Sequence, residues 1–350
     1  MSTSDLSYLH GKPSLRGQLK SRPEDFQVIE DLGYPIDGFG EHVLVRIRKT
    51  GCNTHYVAEA LAKYLKLSMR EVSYAGMKDR QAVTEQTFCL RIPGKAMPDF
   101  ADFHLEGCLI LNVARHQRKI RTGGLAGNRF QLMLRDMAPS AQAAIEQRLA
   151  AIASQGVPNY FGEQRFGRQG HNLTMAHQWA TDQIQIRCRK KRSLILSATR
   201  SYLFNLVTSQ RLQTQGSLTS LLVGDCVQLA GRGSWFVATE QELASIKPRL
   251  QQHELGITAP LPGRGEAGTL QQALQLEQAI LNSHRDLVAL LQREKVETAR
   301  RKMLLLPQDF AWQWHANHTL QLNFWLPAGS FATSVIRELV QVDTVVAESE

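Results

Sequence analysis

With 350 residues, 43% of them hydrophobic, the chain is long enough for two domains, each with its own core. No apolar run approaches the roughly eighteen residues that span a bilayer, and the N-terminal MSTSDLSYLHGK lacks the basic-then-apolar order of a secretory signal, so a soluble protein that remains where it is made is expected. Five cysteines without a CxxC pair argue against a disulfide framework or a zinc site and fit a reducing cytoplasm, while a formal charge of +9 favours a polyanionic partner, nucleic acid first.

In chain order, residues 19–26 (LKSRPEDF) form a basic patch closing on an aromatic. Residues 26–32 and 42–49 alternate in hydropathy and are expected to pair as half-buried strands, with Val43, Val45 and Ile47 on one face and Arg46 and Arg48 on the other. Asn53 or Thr54 then caps a helix through Lys66, whose apolar stripe is read as Tyr56, Val57, Ala60, Leu61, Tyr64 and Leu65.

The next stretch, AGMKDRQAVTEQ (Ala75 to Gln86), organises the rest. Residues 71–75 and 83–91 read as strands, and the turn-rich GMKDRQ between them puts Asp79 on a loop, flanked by Lys78 and Arg80. Nearby positive charge favours the ionised carboxylate, leaving Asp79 available as a nucleophile, a base or an ion-pair partner. A turn aspartate making only local hydrogen bonds is the alternative.

Residues 109–115 read as a strand leading into RHQRKIR (115–121), either a solvated edge or a phosphate-contacting surface. The glycine-rich turn opening GGLAGNRFQLMLRD (123–136) delivers Asn128 and Phe130 onto an alternating strand. Asn128 either satisfies that turn or reads a base. Ser140 caps a helix that stops at Gly156, with Ala144, Ile145, Leu149 and Ile152 as its stripe.

VPNYFGEQRFGRQGHN (157–172) has no helical period and reads as an ordered loop or hinge, its Tyr160, Phe161 and Phe166 being plugs where two domains meet. Residues 173–304 are helix-rich: helices are expected at 193–212, 269–282 and 294–302, strands at 218–230 and 234–238, and the strongest basic run is RCRKKR (187–192). TLQLNFWL (319–326) alternates as a strand that belongs with the N-terminal sheet, and FATSVIRELV makes a terminal helix. The expected organisation is a discontinuous domain of residues 1–153 and 305–350, interrupted by an insert of residues 154–304.

GRGEAG (263–268) matches a dinucleotide fingerprint formally but follows Pro260 and Pro262 rather than a strand. His315 and His318 lack a third ligand for a catalytic metal. Neither a nucleophile elbow nor a P-loop occurs.

Four stretches in order, LKSRPEDF, AGMKDRQAVTEQ, PNYFGEQRFG and FWLPAGSFATSVIREL, resemble the TruD family of tRNA pseudouridine synthases, bacterial type. The resemblance implies an α+β fold, with a catalytic domain built on a mixed, largely antiparallel sheet and an inserted helix-rich α/β domain. It implies isomerisation of uridine-13 in the D-stem of tRNA, with no metal and no cofactor. Carried over, Asp79 is the nucleophile, while Phe26, Asn128 and Phe331 line the uridine pocket, a phenylalanine stacking on the ring and Asn128 bonding its polar edge. Lys20 neutralises a phosphate or orients Asp79, and RCRKKR grips the tRNA body.

The chemistry is consistent with these residue types. A base buried in structured RNA must leave its stack to be reached, and aromatic contact with hydrogen bonds then holds it. Two other classes remain open: an RNA-binding protein without catalysis, suggested by the charge, and a nucleoside glycosidase. No coiled-coil heptad is present, and the expected state is a monomer.

Overall fold

Strand Val83–Arg91 is buried along nearly its whole length on both faces, which places it in the middle of a sheet rather than at an edge. The computed structural model describes residues 5–94, 96–316 and 318–343; residues 1–4 and 344–350 of the expected first domain lie outside them. Contacts divide the chain into two compact units. One comprises Ser14–Gln147, Pro307–Ala332 and the described residues from Val340 on; the other comprises the described residues up to Pro13, Arg148–Leu306 and Thr333–Leu339.

The first unit is built on a sheet of ten strands among the described residues. They are β1 (Arg16–Leu19), β2 (Phe26–Asp31), β3 (His42–Lys49), β4 (Val72–Tyr74), β5 (Val83–Arg91), β6 (Cys108–His116), β7 (Gly127–Arg135), β8 (Gln308–His315), β9 (Thr319–Pro327) and β10 (Gln341–Asp343). The main order is β8–β9–β7–β2–β5–β3–β6, with β1 beside β7 and β10 and with β4 beside β5. Neighbours run antiparallel except β2 with β5 and β1 with β10. The sheet is therefore mixed and largely antiparallel, as expected, and β9 joins it through β7.

The expected pairing of residues 26–32 with 42–49 is corrected: both strands exist, but β5 lies between them. Nearness in sequence favours a hairpin, yet the two-sided burial of β5 gives it the slot between β2 and β3.

Cross-strand partners share a face, so the registers of β2, β7 and β9 put Val28, Phe130 and Phe324 together. Phe130 stacks on Phe324 at 5.4 Å and meets Phe26 edge-on at 6.3 Å. Elsewhere on the sheet helix α1 (Thr54–Tyr64) packs Val57, Ala58, Leu61 and Ala62 on Val43, Val45, Ile47, Phe88 and Leu90. Its buried stripe is rotated from the expected one: Ala58 and Ala62 face inward, whereas Tyr56 is 53% exposed. Small residues let the helix approach the β-branched surface closely, which outweighs the hydrophobicity of the tyrosine.

Helix Gln142–Gln155 ends at Gly156 in a left-handed conformation, and its Glu146 accepts from the indoles of Trp312 and Trp314, each at 2.7 Å. The basic run 115–121 is only partly a surface. Arg115 is buried and donates to the carbonyls of Gly40, Ile92 and Ala96, and His116 is buried against Asp37 at 2.8 Å. Arg118, Lys119 and Arg121 are exposed.

The second unit centres on helix Arg189–Gln215, which packs with helices His171–Ala180, Gln271–Asn282 and Arg285–Arg293. Beside it lies an antiparallel sheet in the order Trp235–Val237, Cys226–Leu229, Leu255–Leu261, Ala299–Lys302. Residues 294–302, expected as a helix, are a turn followed by the strand Ala299–Lys302. Arg300 faces the buried Glu277 there, so a charged side chain fills a buried position on the strand. Tyr160, Phe161 and Phe166 are core residues of this unit, with Phe161 set edge-on to Phe204 and held at its backbone N and O by Asn205, both at 2.9 Å. Among the described residues no helix is long and apolar enough to cross a membrane.

Candidate active site

The loop between β4 and β5 must reverse the chain, because Val72 and Tyr74 pair antiparallel with Leu90 and Phe88. Its conformation is fixed by side chains and backbone from other elements. Ala75 O accepts from Gly123 N at 2.6 Å, and Gly76 O accepts from Gln86 Nε2 at 2.5 Å. Thr54 Oγ1 donates to Gln86 Oε1 and accepts from Lys78 N, both at 2.9 Å. Arg80 is tied to Gly51 in both directions: its Nε donates to Gly51 O at 2.9 Å, and its carbonyl accepts from Gly51 N at 3.2 Å.

Two charged side chains complete the support. Lys49 has no exposed surface, and its Nζ donates to Cys52 O at 2.7 Å and to Asp79 O at 3.2 Å. Burial pushes this ammonium below the ordinary lysine value. Lys78 turns to Glu30, Nζ to Oε1 at 3.0 Å, with side chains 8% and 1% exposed; Glu30 Oε2 also accepts from Thr87 N at 2.9 Å. The cations flanking Asp79 in sequence are thus engaged elsewhere, Lys78 on Glu30 and Arg80 on Gly51.

Asp79 Oδ1 accepts from Gln81 N at 3.0 Å, a local turn bond, and Oδ2 forms an ion pair with Lys20 Nζ. The two side chains are 25% and 22% exposed, so the pair is open to an incoming group. Lys20 follows β1 with φ +62°, and its ammonium also lies 4.2 Å from the Phe26 ring centroid. Lys20, Phe26 and Asp79, singled out from sequence, therefore meet at one place.

Asn128 sits near the start of β7, opposite Glu30 on β2 and Leu326 on β9. Its Oδ1 is buried with no hydrogen-bond partner among the described residues. Phe331 is half-buried just beyond β9, after a turn in which Ala328 N donates to Ala126 O at 2.9 Å.

Lys49, Glu30, Thr54 and Gln86 were not anticipated as site residues. A signal for two of them was present: Lys49 continues the inward series Val43, Val45, Ile47, and Glu30 continues Phe26, Val28. A charge at an inward strand position needs a buried partner.

The arrangement presents a carboxylate with one oxygen held by a backbone N–H and the other by an ammonium, on a loop tied to other elements by hydrogen bonds. It suits attack on, or proton removal from, a bound electrophile. Among the described residues no group of three or more His, Cys, Asp or Glu is placed to hold a metal ion; His315 Nε2 lies 2.8 Å from Gln321 Oε1.

The family model for tRNA pseudouridine synthase D (TruD) matches residues 4–178 and 178–339. Among solved structures, a putative tRNA pseudouridine synthase D (TruD) from Methanosarcina mazei superimposes with a TM-score of 0.70, covering 98% of this chain and 96% of that one at 20% identity, which is a likeness of fold. Matched along nearly all of its length by that family model, the chain belongs to the TruD family of tRNA pseudouridine synthases, isomerases that act on tRNA.

Proposed function

We propose that the protein converts uridine-13 in the D-stem of tRNA to pseudouridine, with Asp79 as the nucleophile. The observation that carries this reading is the partly open Asp79 carboxylate, paired with Lys20 beside the Phe26 ring. The reaction breaks the N1–C1′ bond and forms C5–C1′; a proton leaves C5 and one is taken up at N1, so the nucleoside is isomerised without any redox change. An enzymic carboxylate acting at an anomeric carbon has a parallel in retaining glycosidases. Attack at C1′, addition at C6 and removal of a sugar proton make one shared demand on the protein: a fixed carboxylate against one face of a nucleotide taken out of its stack.

In this reading Lys20 orients the Asp79 carboxylate. Phe26 or Phe331 stacks on the uracil, and the Asn128 amide, whose Oδ1 has no partner among the described residues, bonds its polar edge. The exposed run from Arg187 to Arg192 grips the tRNA body.

The test is incubation of the purified protein with an unmodified tRNA transcript, without added metal or nucleotide, followed by pseudouridine-specific chemical mapping. Wild type is expected to modify position 13, whereas Asp79→Asn gives no product yet still binds, since phosphate contacts supply most of the affinity. Product from Asp79→Asn removes the nucleophile assignment, and modification elsewhere removes the position. Binding without product from wild type favours a non-catalytic RNA-binding protein, and free uracil favours a glycosidase.

A further inference from the structure

We infer that Arg165 and Arg301, set together over the Phe161 ring, form a binding site for a backbone phosphate of the RNA. The Arg301 guanidinium carbon lies 4.2 Å from the Phe161 centroid and 5.5 Å from that of Phe204; the Arg165 carbon lies 5.5 Å from Phe161. Both arginines keep part of their surface exposed.

What the two lack is a carboxylate. Arg300, one residue earlier on the strand, faces the other way and is fully served: Glu277 Oε1 at 2.6 Å, Ala267 O at 2.6 Å and Thr258 O at 2.8 Å. Arg301 donates only to neutral oxygens of Asn159, Oδ1 at 2.5 Å and the carbonyl at 3.3 Å. Arg165 Nε is buried with no partner, and no acid pairs with either guanidinium among the described residues. The two charges also oppose each other. Burial, together with the Arg165 charge, pulls Arg301 down to about 9, still protonated at neutral pH, and burial lowers Arg165 as well.

A pair of half-buried like charges is unfavourable unless an anion joins it. The aromatic ring offsets part of that cost through its face and leaves the N–H edges of both guanidiniums directed elsewhere. Planar guanidinium forks match the oxygens of a phosphodiester, and one phosphate between two of them would relieve both the missing hydrogen bonds and the repulsion. The RNA assignment rests on the reading that tRNA is the substrate; the cationic site itself rests on the geometry alone.

The test is tRNA binding at a series of salt concentrations, which requires no catalysis. Arg165→Gln is the principal variant because its side chain makes no hydrogen bond that the fold would lose, and thermal melting verifies that it folds. It is expected to weaken tRNA binding about tenfold and to make log K less steep in log [salt] by about one. Arg165→Lys is expected to keep the slope while recovering only part of the affinity. As a second measurement, inorganic phosphate is expected to raise the melting temperature of wild type above that in chloride of equal ionic strength, and not that of Arg165→Gln.

Unchanged affinity and slope in Arg165→Gln overturn the proposal. Phosphate stabilisation with an unchanged tRNA slope does so too, by assigning the site to a free anion. A wild-type protein that makes no pseudouridine yet shows the Arg165-dependent slope refutes the catalytic reading alone. A protein that makes pseudouridine with Arg165-independent binding refutes this inference alone.

Discussion

Lys49 reaches Asp79 through the peptide: its buried ammonium donates to the Asp79 carbonyl at 3.2 Å, while the carboxylate of the same residue is engaged by Lys20 and Gln81 N. One lysine thus fixes where the residue sits and another fixes how its carboxylate points. Lys49→Met should lower kcat on tRNA by about a hundredfold, the scale expected for a misplaced reacting group, with little change in KM. A second readout follows from burial, which lowers the Lys49 pKa in the folded protein. Between that lowered value and the ordinary value of about 10.4 the unfolded chain binds more protons than the native one, so the stability contributed by this group rises as pH climbs through the window. Urea unfolding across that alkaline range should show wild type gaining stability relative to Lys49→Met; a parallel pH dependence of the two would refute it.

The Glu30–Lys78 pair offers a stability test. Lys78→Met leaves a carboxylate 1% exposed without its counter-ion and should cost roughly 3–5 kcal/mol. The double change Glu30→Gln with Lys78→Met should recover much of that loss, because the remaining amide still accepts from Thr87 N. Chemical denaturation of the three variants measures both effects.

Lys20 separates orientation from folding. Its pair with Asp79 is partly open, so losing it should change stability by less than about 1 kcal/mol. Lys20→Gly suits the purpose well, since glycine accepts φ +62° without strain. Pseudouridine formation by this variant should fall about tenfold or more while its unfolding midpoint stays near that of wild type. A variant with full activity would remove Lys20 from the site.

Asn128 carries a buried Oδ1 with no hydrogen-bond partner among the described residues. Asn128→Ala should therefore leave the free protein unchanged or more stable by about 1 kcal/mol, since an unmade hydrogen bond disappears. The same variant should lose turnover about tenfold if the amide meets the uracil edge. Melting curves and single-turnover mapping on one preparation decide the matter.

Much of this unit could be read in the sequence because its strands alternate and its turns carry glycine. The loop holding Asp79, the strand at 83–91 and the return of residues 319–326 to the sheet all came from such local patterns. Strand order did not: putting β5 beside β2 depends on burial across the whole sheet, which no window of ten residues reports. Strand Gln308–His315 went unanticipated although Phe310, Trp312 and Trp314 alternate with exposed residues, because it ends in the HANH motif, which reads as a metal pattern. Arg115 was misjudged for a related reason. A basic run reads as surface, but this guanidinium caps three carbonyls from two other segments, Gly40 on one and Ile92 and Ala96 on the other. The Lys20–Asp79–Phe26 meeting was reached through family resemblance, since neither phenylalanine spacing nor charge runs indicate which side chains converge.

Strand β1, which leads directly into Lys20, is flanked by β7 on one side and on the other by β10, from the far end of the described chain. During synthesis on the ribosome, the segment carrying Lys20 emerges early and must wait for its last neighbour until nearly everything else has been made. A nascent chain halted before residues 341–343 would hold β1 through β7 alone, at Gln18 and Leu19, and would leave the Arg16–Gln18 edge open until the closing strand arrived.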